Sequence, residues 1–244
     1  MATEKTSEKA AKPPEVKVVF FDVGGTLIVG EYGWLDYLCE ALTLVGYDLK
    51  REEVARANDL ARQAVARRRR RIPSRFESRG AGHMWLDHLA EVLDLDLRGP
   101  DLEAAIAEAT TGMDFSQQVI VDPDAPALLY ELKYRGFRLG VISNWNADLR
   151  KYLEDRALAR FFEVILASEE VGSQKPHREI FLKALAAMKC LPQEAIHIGD
   201  DYWTDVVGAR GVGIRPVLVD RDREGLHRDC TVVRRLKEVE ELVL

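Results

Sequence analysis

Phe20-Phe21-Asp22-Val23-Gly24-Gly25-Thr26-Leu27 decides the fold of this chain. The octet closes a run of apolar, β-branched and aromatic residues from Val16 to Phe21, which stops at a carboxylate and two nearby glycines. A run this short, bounded by turn-forming residues, predicts a buried strand that delivers Asp22 at its C-terminal end. Beyond it the apolar spacing turns helical, predicting helices over 34–45, 51–71, 84–93 and 102–110, with no strand among them. After Asp122-Pro123 the pattern alternates. Helices are predicted over 128–134, 149–154 and 178–188 and a short one around Val206, interleaved with strands over 138–143, 164–168, 195–199 and 215–219.

Strands alternating with helices imply βαβ units and a parallel sheet whose ligands bind beyond the carboxyl ends of the strands. The expected fold class is therefore α/β, a Rossmann-like doubly wound parallel sheet, with a helical insertion after the first strand. Four of the predicted strand ends or the loops after them carry polar groups: Asp22, then Ser143-Asn144, then Lys175, then Asp200-Asp201, with Asp205 one turn further on. Singly, each has an ordinary explanation, as a turn residue, a helix cap or a surface lysine. In a parallel sheet all of them can converge on one edge.

Composition excludes several alternatives. With 244 residues, 47% hydrophobic and 31% charged, the chain can bury a full core. A net charge of -6 argues against general nucleic-acid binding and against anionic membranes. Cys39, Cys190 and Cys230 lie far apart and form no CxxC, so they read as reduced thiols. The opening residues, polar and ending in Pro13-Pro14, read as a disordered tail without a signal-peptide core. No stretch approaches the roughly 20 apolar residues of a membrane span. The expected address is the cytoplasm.

On these residues the sequence resembles the haloacid dehalogenase superfamily, in its subfamily with a helical cap inserted after the first motif. Phe20 to Leu27 is similar to the first motif, Val141-Ile142-Ser143-Asn144 to the second, Lys175-Pro176 to the third and Gly199-Asp200-Asp201-Tyr202-Trp203-Thr204-Asp205 to the acidic fourth. The resemblance implies a tail over 1–15, a core formed by 16–30 and 119–244, and a helical cap over 31–118. It further implies a phosphatase-like hydrolase that works through an aspartyl-phosphate on a small phosphorylated substrate. Asp22 would be the nucleophile. Mg2+ would be held by Asp22, Asp200 and the backbone carbonyl of Gly24. Lys175 would add a second positive charge, oriented by Asp205. The Ser143 hydroxyl and the backbone N–H groups of Asn144 and Gly25 would bind the phosphoryl oxygens.

The chain departs from the family at Gly24, where most of its phosphatases carry a second aspartate that protonates the leaving oxygen. Such a group contributes about 10²–10⁴-fold, so alkyl phosphates should suffer most, and aryl or acyl phosphates least. The departure leaves a second reading open, a catalytically weakened phosphate-binding or regulatory protein. Haloacid dehalogenases also lack that aspartate but do not keep the acidic fourth motif. Phosphonoacetaldehyde hydrolases need a cap lysine, and only Lys50, at a predicted turn, is available. Arg67 to Arg71 point around several helix faces, and one or two of them, with Arg75 or Arg79, could face an anionic substrate. Trp145 could line the entrance, Asn146 reads as the N-cap of the next helix, and Pro176 fits the first turn of the helix after Lys175. Trp34 and Trp85 read as core residues, and His197 as a structural histidine in a buried strand.

Overall fold

The computed structural model describes residues 15–30, 34–71, 78–111, 119–221, 227 and 229–243, with backbone only for 34, 69–71 and 78–83. The expected tail lies almost entirely outside them. Six strands form one parallel sheet in the order β5-β4-β1-β6-β7-β8: β1 (Val18–Phe21), β4 (Arg138–Ser143), β5 (Val164–Ala167), β6 (Ala195–Gly199), β7 (Arg215–Val219) and β8 (Thr231–Val233). β1 is central, with Val18 in register with Arg138 on one side and Ala195 on the other. Its side chains alternate between two cores. Val19 and Phe21 pack with Leu128, Leu132, Leu149 and Leu236, whereas Val18 and Phe20 pack with Ile180, Phe181, Ala184 and Ala209. A strand covered on both faces reads as a continuous apolar run, which is why this one was legible. Gly140 of β4 lets Phe20 in, since a Cβ there would come within 2.8 Å of its ring.

Helices cover both faces: α5 (Ala125–Tyr134), α6 (Leu149–Asp155) and the C-terminal α10 (Glu240–Val243), then α7 (Ser168–Val171), α8 (Arg178–Met188) and α9 (Val207–Arg210). The expected doubly wound α/β class is therefore observed. Two short strands absent from the sequence reading, β2 (Ile28–Gly30) and β3 (Val119–Val121), pair antiparallel as Ile28↔Val121 to Gly30↔Val119. Between them lie α1 (Trp34–Val45), α2 (Arg51–Arg71), α3 (Ser78–Val92) and α4 (Gly99–Ala109). These helices bury their own cluster, including Leu35, Leu38, Leu42, Ala61, Leu89 and Leu102. Among the described residues no helix is long and apolar enough to cross a membrane.

Candidate active site

Each polar group singled out in the sequence reaches the carboxyl edge of the sheet. Asp22 follows β1, Ser143 ends β4, Lys175 lies in the loop before α8, and Asp200 follows β6. With Gly24, Asn144, Trp145, Asp201 and Thr204 they line a cavity of about 350 Å³, to which α2 contributes Arg62 and α3 contributes Trp85. The order of the sheet reverses beside β1, and crevices form where chains diverge from such a point.

At the cavity floor one ammonium serves two carboxylates. Lys175 Nζ lies 2.7 Å from Asp22 Oδ1 and 2.6 Å from Asp205 Oδ1. Burial opposes its charge, but Asp205 and Asp22 outweigh burial and hold the ammonium above the ordinary lysine range. Asp205 is fully engaged: Oδ1 also meets His197 Nε2 at 2.8 Å, and Oδ2 accepts the Asp201 N–H at 3.1 Å. Burial pushes its carboxyl up, yet Lys175 and His197 bring it down to about 2.

Asp22 and Asp200 are less well compensated. Asp22 Oδ1 touches Lys175 outside hydrogen-bonding geometry and is left without a hydrogen-bond partner among buried side-chain atoms. Its carboxyl is raised, chiefly by burial, with Lys175 pulling the other way. Asp200 is pushed up to about 7 by burial and then by the charge of Asp22. Carboxylate oxygens of Asp22, Asp200 and Asp205 fall within 4.8 Å of one another. Asp205 spends its oxygens on Lys175, His197 and a backbone N–H, so the oxygens open to a cation are those of Asp22 and Asp200. Hard oxygen donors with uncompensated negative charge fit a divalent cation such as Mg2+.

The loops bearing these groups are tied together. Asn144, expected to use its backbone, uses its side chain too: Oδ1 accepts the Lys175 N–H at 2.7 Å and Nδ2 donates to the Lys175 carbonyl at 3.0 Å. Thr26 Oγ1 donates to Asp200 at 3.2 Å. Arg221 donates to the carbonyls of Gly25 and Thr26 and to Asp122, clamping the turn after Asp22. Asp201 accepts the N–H groups of Trp203 and Thr204, opening the π-helical turn Tyr202–Val206. From α2, Asp59 accepts Trp203 Nε1 at 2.8 Å, and Arg62 lies 3.6 Å from Asp201, so the inserted helices grip the acidic loop.

The two glycines of the turn have different reasons. Gly25 has φ +72°, and a Cβ on it would lie 2.3 Å from an Asp200 oxygen. Gly25→Ala is therefore expected to cost roughly 1–2 kcal/mol from left-handed backbone alone, and more from displacing Asp200. Urea unfolding of the variant measures this, and a midpoint equal to the parent's would show that the turn relaxes freely. Gly24 carries no such constraint: a Cβ there would meet only Trp145 Cζ3, at 3.6 Å.

Five expectations are corrected. Trp85 lines the cavity instead of serving only the core, while the Trp34 side chain lies outside the described residues. The Gly25 N–H, expected to bind a phosphoryl oxygen, donates to the Ile28 carbonyl at 2.8 Å, because the turn after Asp22 closes on itself there. Of the arginine run, Arg67 and Arg68 are exposed and the side chains of 69–71, 75 and 79 lie outside the described residues; among the described residues the arginine lining the cavity is Arg62. Helix α6 starts at Leu149 after Asp148, and Asn146 contributes only its carbonyl, to the Leu149 N–H, because the chain is still turning there. Pro176 precedes α8, which starts at Arg178 after His177. Trp145, as expected, borders the cavity, and Lys50 is not among its lining residues. Thr26, Arg62 and Arg221 escaped the sequence reading, since nothing local distinguishes them from other polar residues.

The sequence model described as haloacid dehalogenase-like hydrolase matches residues 16–213. The chain is similar to haloacid dehalogenase-like hydrolase domain-containing protein 3 of Xenopus laevis, 32% identical over 145 residues that cover 55% of this chain and 56% of that protein. It is similar to a glyceraldehyde 3-phosphate phosphatase of Pyrococcus abyssi, 30% identical over 221 residues that cover 83% of this chain and 80% of that one. In several alignments the chain spans about half the length of the curated relatives it matches. Among solved structures it is similar in fold to a phosphatase from Thermococcus onnurineus, with a TM-score of 0.57, 24% identity and coverage of 93% of this chain and 98% of that one.

Proposed function

Given that the chain belongs to the haloacid dehalogenase-like hydrolases, we propose that it is a magnesium-dependent phosphoryl hydrolase that transfers the phosphoryl group of a small phosphorylated substrate to Asp22 and then to water. The observation that carries this reading is the carboxylate of Asp22 at a cavity floor, beside Lys175 and close to Asp200. Relatives support the reaction class: one is a glyceraldehyde 3-phosphate phosphatase, and another, matching 41% of this chain, is a phosphoserine phosphatase of Thermus thermophilus. The helical insertion acts as the cap, residues 31–118, and closes the cavity with Arg62 and Trp85.

In this reading an Asp22 oxygen forms a bond to phosphorus as the bond to the leaving oxygen breaks, and the leaving oxygen keeps the electron pair. Water then attacks phosphorus and returns Asp22 and inorganic phosphate. Lys175 stabilises charge on the phosphoryl oxygens and on Asp22, and Asp205 and His197 keep its ammonium in place. The Ser143 hydroxyl and the Asn144 N–H would donate to the equatorial oxygens, whereas the Gly25 N–H is spent on the Ile28 carbonyl at 2.8 Å and holds the turn instead. Asp22, Asp200 and the Gly24 carbonyl would hold Mg2+, which supplies the positive charge that lets a carboxylate approach a phosphate dianion. Three cysteines outside any disulfide suit a cytoplasmic address.

Gly24 favours one alternative, a phosphate-binding protein that has lost turnover. Phosphate release from acetyl phosphate and phenyl phosphate, followed with Mg2+, with EDTA and after Mg2+ is restored, separates the two. Hydrolysis is expected to stop with chelation and return with Mg2+, because Asp22 and Asp200 otherwise repel the substrate. Turnover that ignores EDTA sinks the magnesium reading, and binding without turnover establishes the alternative.

A further inference from the structure

A departing ester oxygen must dispose of an electron pair. An alkoxide leaves poorly unless it is protonated as the bond breaks. A phenolate, whose conjugate acid has a pKa near ~10, carries the charge itself. Among the described residues around this cavity no side chain is placed to deliver the proton. Gly24 has no side chain, Lys175 is held by two carboxylates, and Arg62 keeps its proton at all working pH values. Asp201 accepts two backbone N–H groups through one oxygen and faces Arg62 with the other. Asp22 is committed to attack, and Asp200 lies among the groups that face the cation.

The space beside Gly24 is bordered by an indole, since Trp145 Cζ3 lies 3.6 Å from the position of a Cβ there. Trp145 is fixed by its Nε1, which donates to Asp148 at 3.1 Å, and by Tyr152, whose ring centre is 5.0 Å away. Trp85 lines the same cavity from α3, its Nε1 donating to the buried Asn58 at 3.1 Å. A cavity of about 350 Å³ suits a phosphate carrying one ring. Indole faces reward planar apolar groups and give little to a short polar chain.

We propose that the substrates are phosphate monoesters of phenol-class hydroxyls, whose ring is received against Trp85 and Trp145 and leaves as the phenolate. The proposal rests on the phosphoryl-hydrolase reading. In the chemical step the Asp22 oxygen–phosphorus bond forms, the phosphorus–phenolic oxygen bond breaks, and the phenolate takes its proton from solvent after it leaves.

The test measures kcat/KM of the full chain with Mg2+ on phenyl phosphate, on benzyl phosphate, which carries the same ring on an alkoxide leaving group, and on acetyl phosphate, which leaves easily but has no ring. Phenyl phosphate is expected to exceed benzyl phosphate by about 10²-fold or more. It should also exceed acetyl phosphate. Trp85→Ala should lower kcat/KM for phenyl phosphate about tenfold, mainly through KM, and by less for acetyl phosphate, with Trp85→Phe recovering most of the loss. Equal rates on phenyl and benzyl phosphate overturn the proposal, because a proton donor must then exist. Equal losses on phenyl and acetyl phosphate in both Trp85 variants overturn the ring site. If none of the three is hydrolysed, the phosphoryl-hydrolase reading itself has failed, a result distinct from either.

Discussion

Asp22→Asn is expected to lower kcat on every accepted phosphate ester by on the order of 10⁴-fold or more while the fold stays intact. The amide is nearly isosteric but cannot form an acyl phosphate. The position is built by backbone, with the Asp22 N–H bonded to the Ile198 carbonyl at 2.9 Å, so substitution leaves the sheet register alone. Removing one of the carboxylates crowded near Asp200 also relieves repulsion. Steady-state rates with Mg2+ and a thermal melt check both halves, and activity within tenfold of the parent would take the nucleophile role away from Asp22.

Lys175→Met should be more damaging, because it strikes stability and activity together. Lys175 is 1% exposed and is the cation held against both Asp22 and Asp205. Methionine fills a similar volume but leaves buried carboxylates facing one another, and breaking such a pair costs about 3–5 kcal/mol. In a chain of this size that lowers Tm by roughly 10 °C. Loss of charge at the phosphoryl group should reduce kcat by about 10²–10³-fold. The double variant Lys175→Met/Asp205→Asn separates the effects: it should regain much of the Tm and none of the activity, since Asp205 touches Lys175 and not the cavity. A melt unchanged in the single variant would show that the ion cluster is not held as described.

Much of this was legible because burial on both faces writes itself into composition. Val18 to Phe21 had to be a central strand, and helix α2 and strands β4, β6 and β7 fall at the residues that spacing alone predicts. The strands missed, β2, β3 and β8, have three residues each and exposed positions, too short for a period of two to register. Asp22, Ser143, Lys175 and Asp200 were legible because each sits at a strand end or in a following loop. Arg62 and Trp85 were not: helical periodicity says which residues share a face, but not which face meets the sheet. Arg221 was hidden for a related reason, as its partners Gly25, Thr26 and Asp122 are remote in sequence and two of the three contribute only backbone carbonyls.

The place of β1 in the sheet also sets the order in which the chain can assemble. Both of its neighbours arrive late: Val18 pairs with Arg138 and Ala195, so its partners lie roughly 120 and 180 positions downstream. At translation rates of about 5–20 residues per second, Val18 to Phe21 waits on the order of 10–40 s for its second neighbour. For about the first two thirds of that interval, until Arg138 to Ser143 has been made, a sticky Val-Val-Phe-Phe segment has no edge to join. The inserted helices have no such delay, since their contacts are local and their apolar cluster is complete by Leu102. They can collapse while the rest of the sheet is still being synthesised, which makes the nascent chain, more than the finished protein, the form most exposed to aggregation.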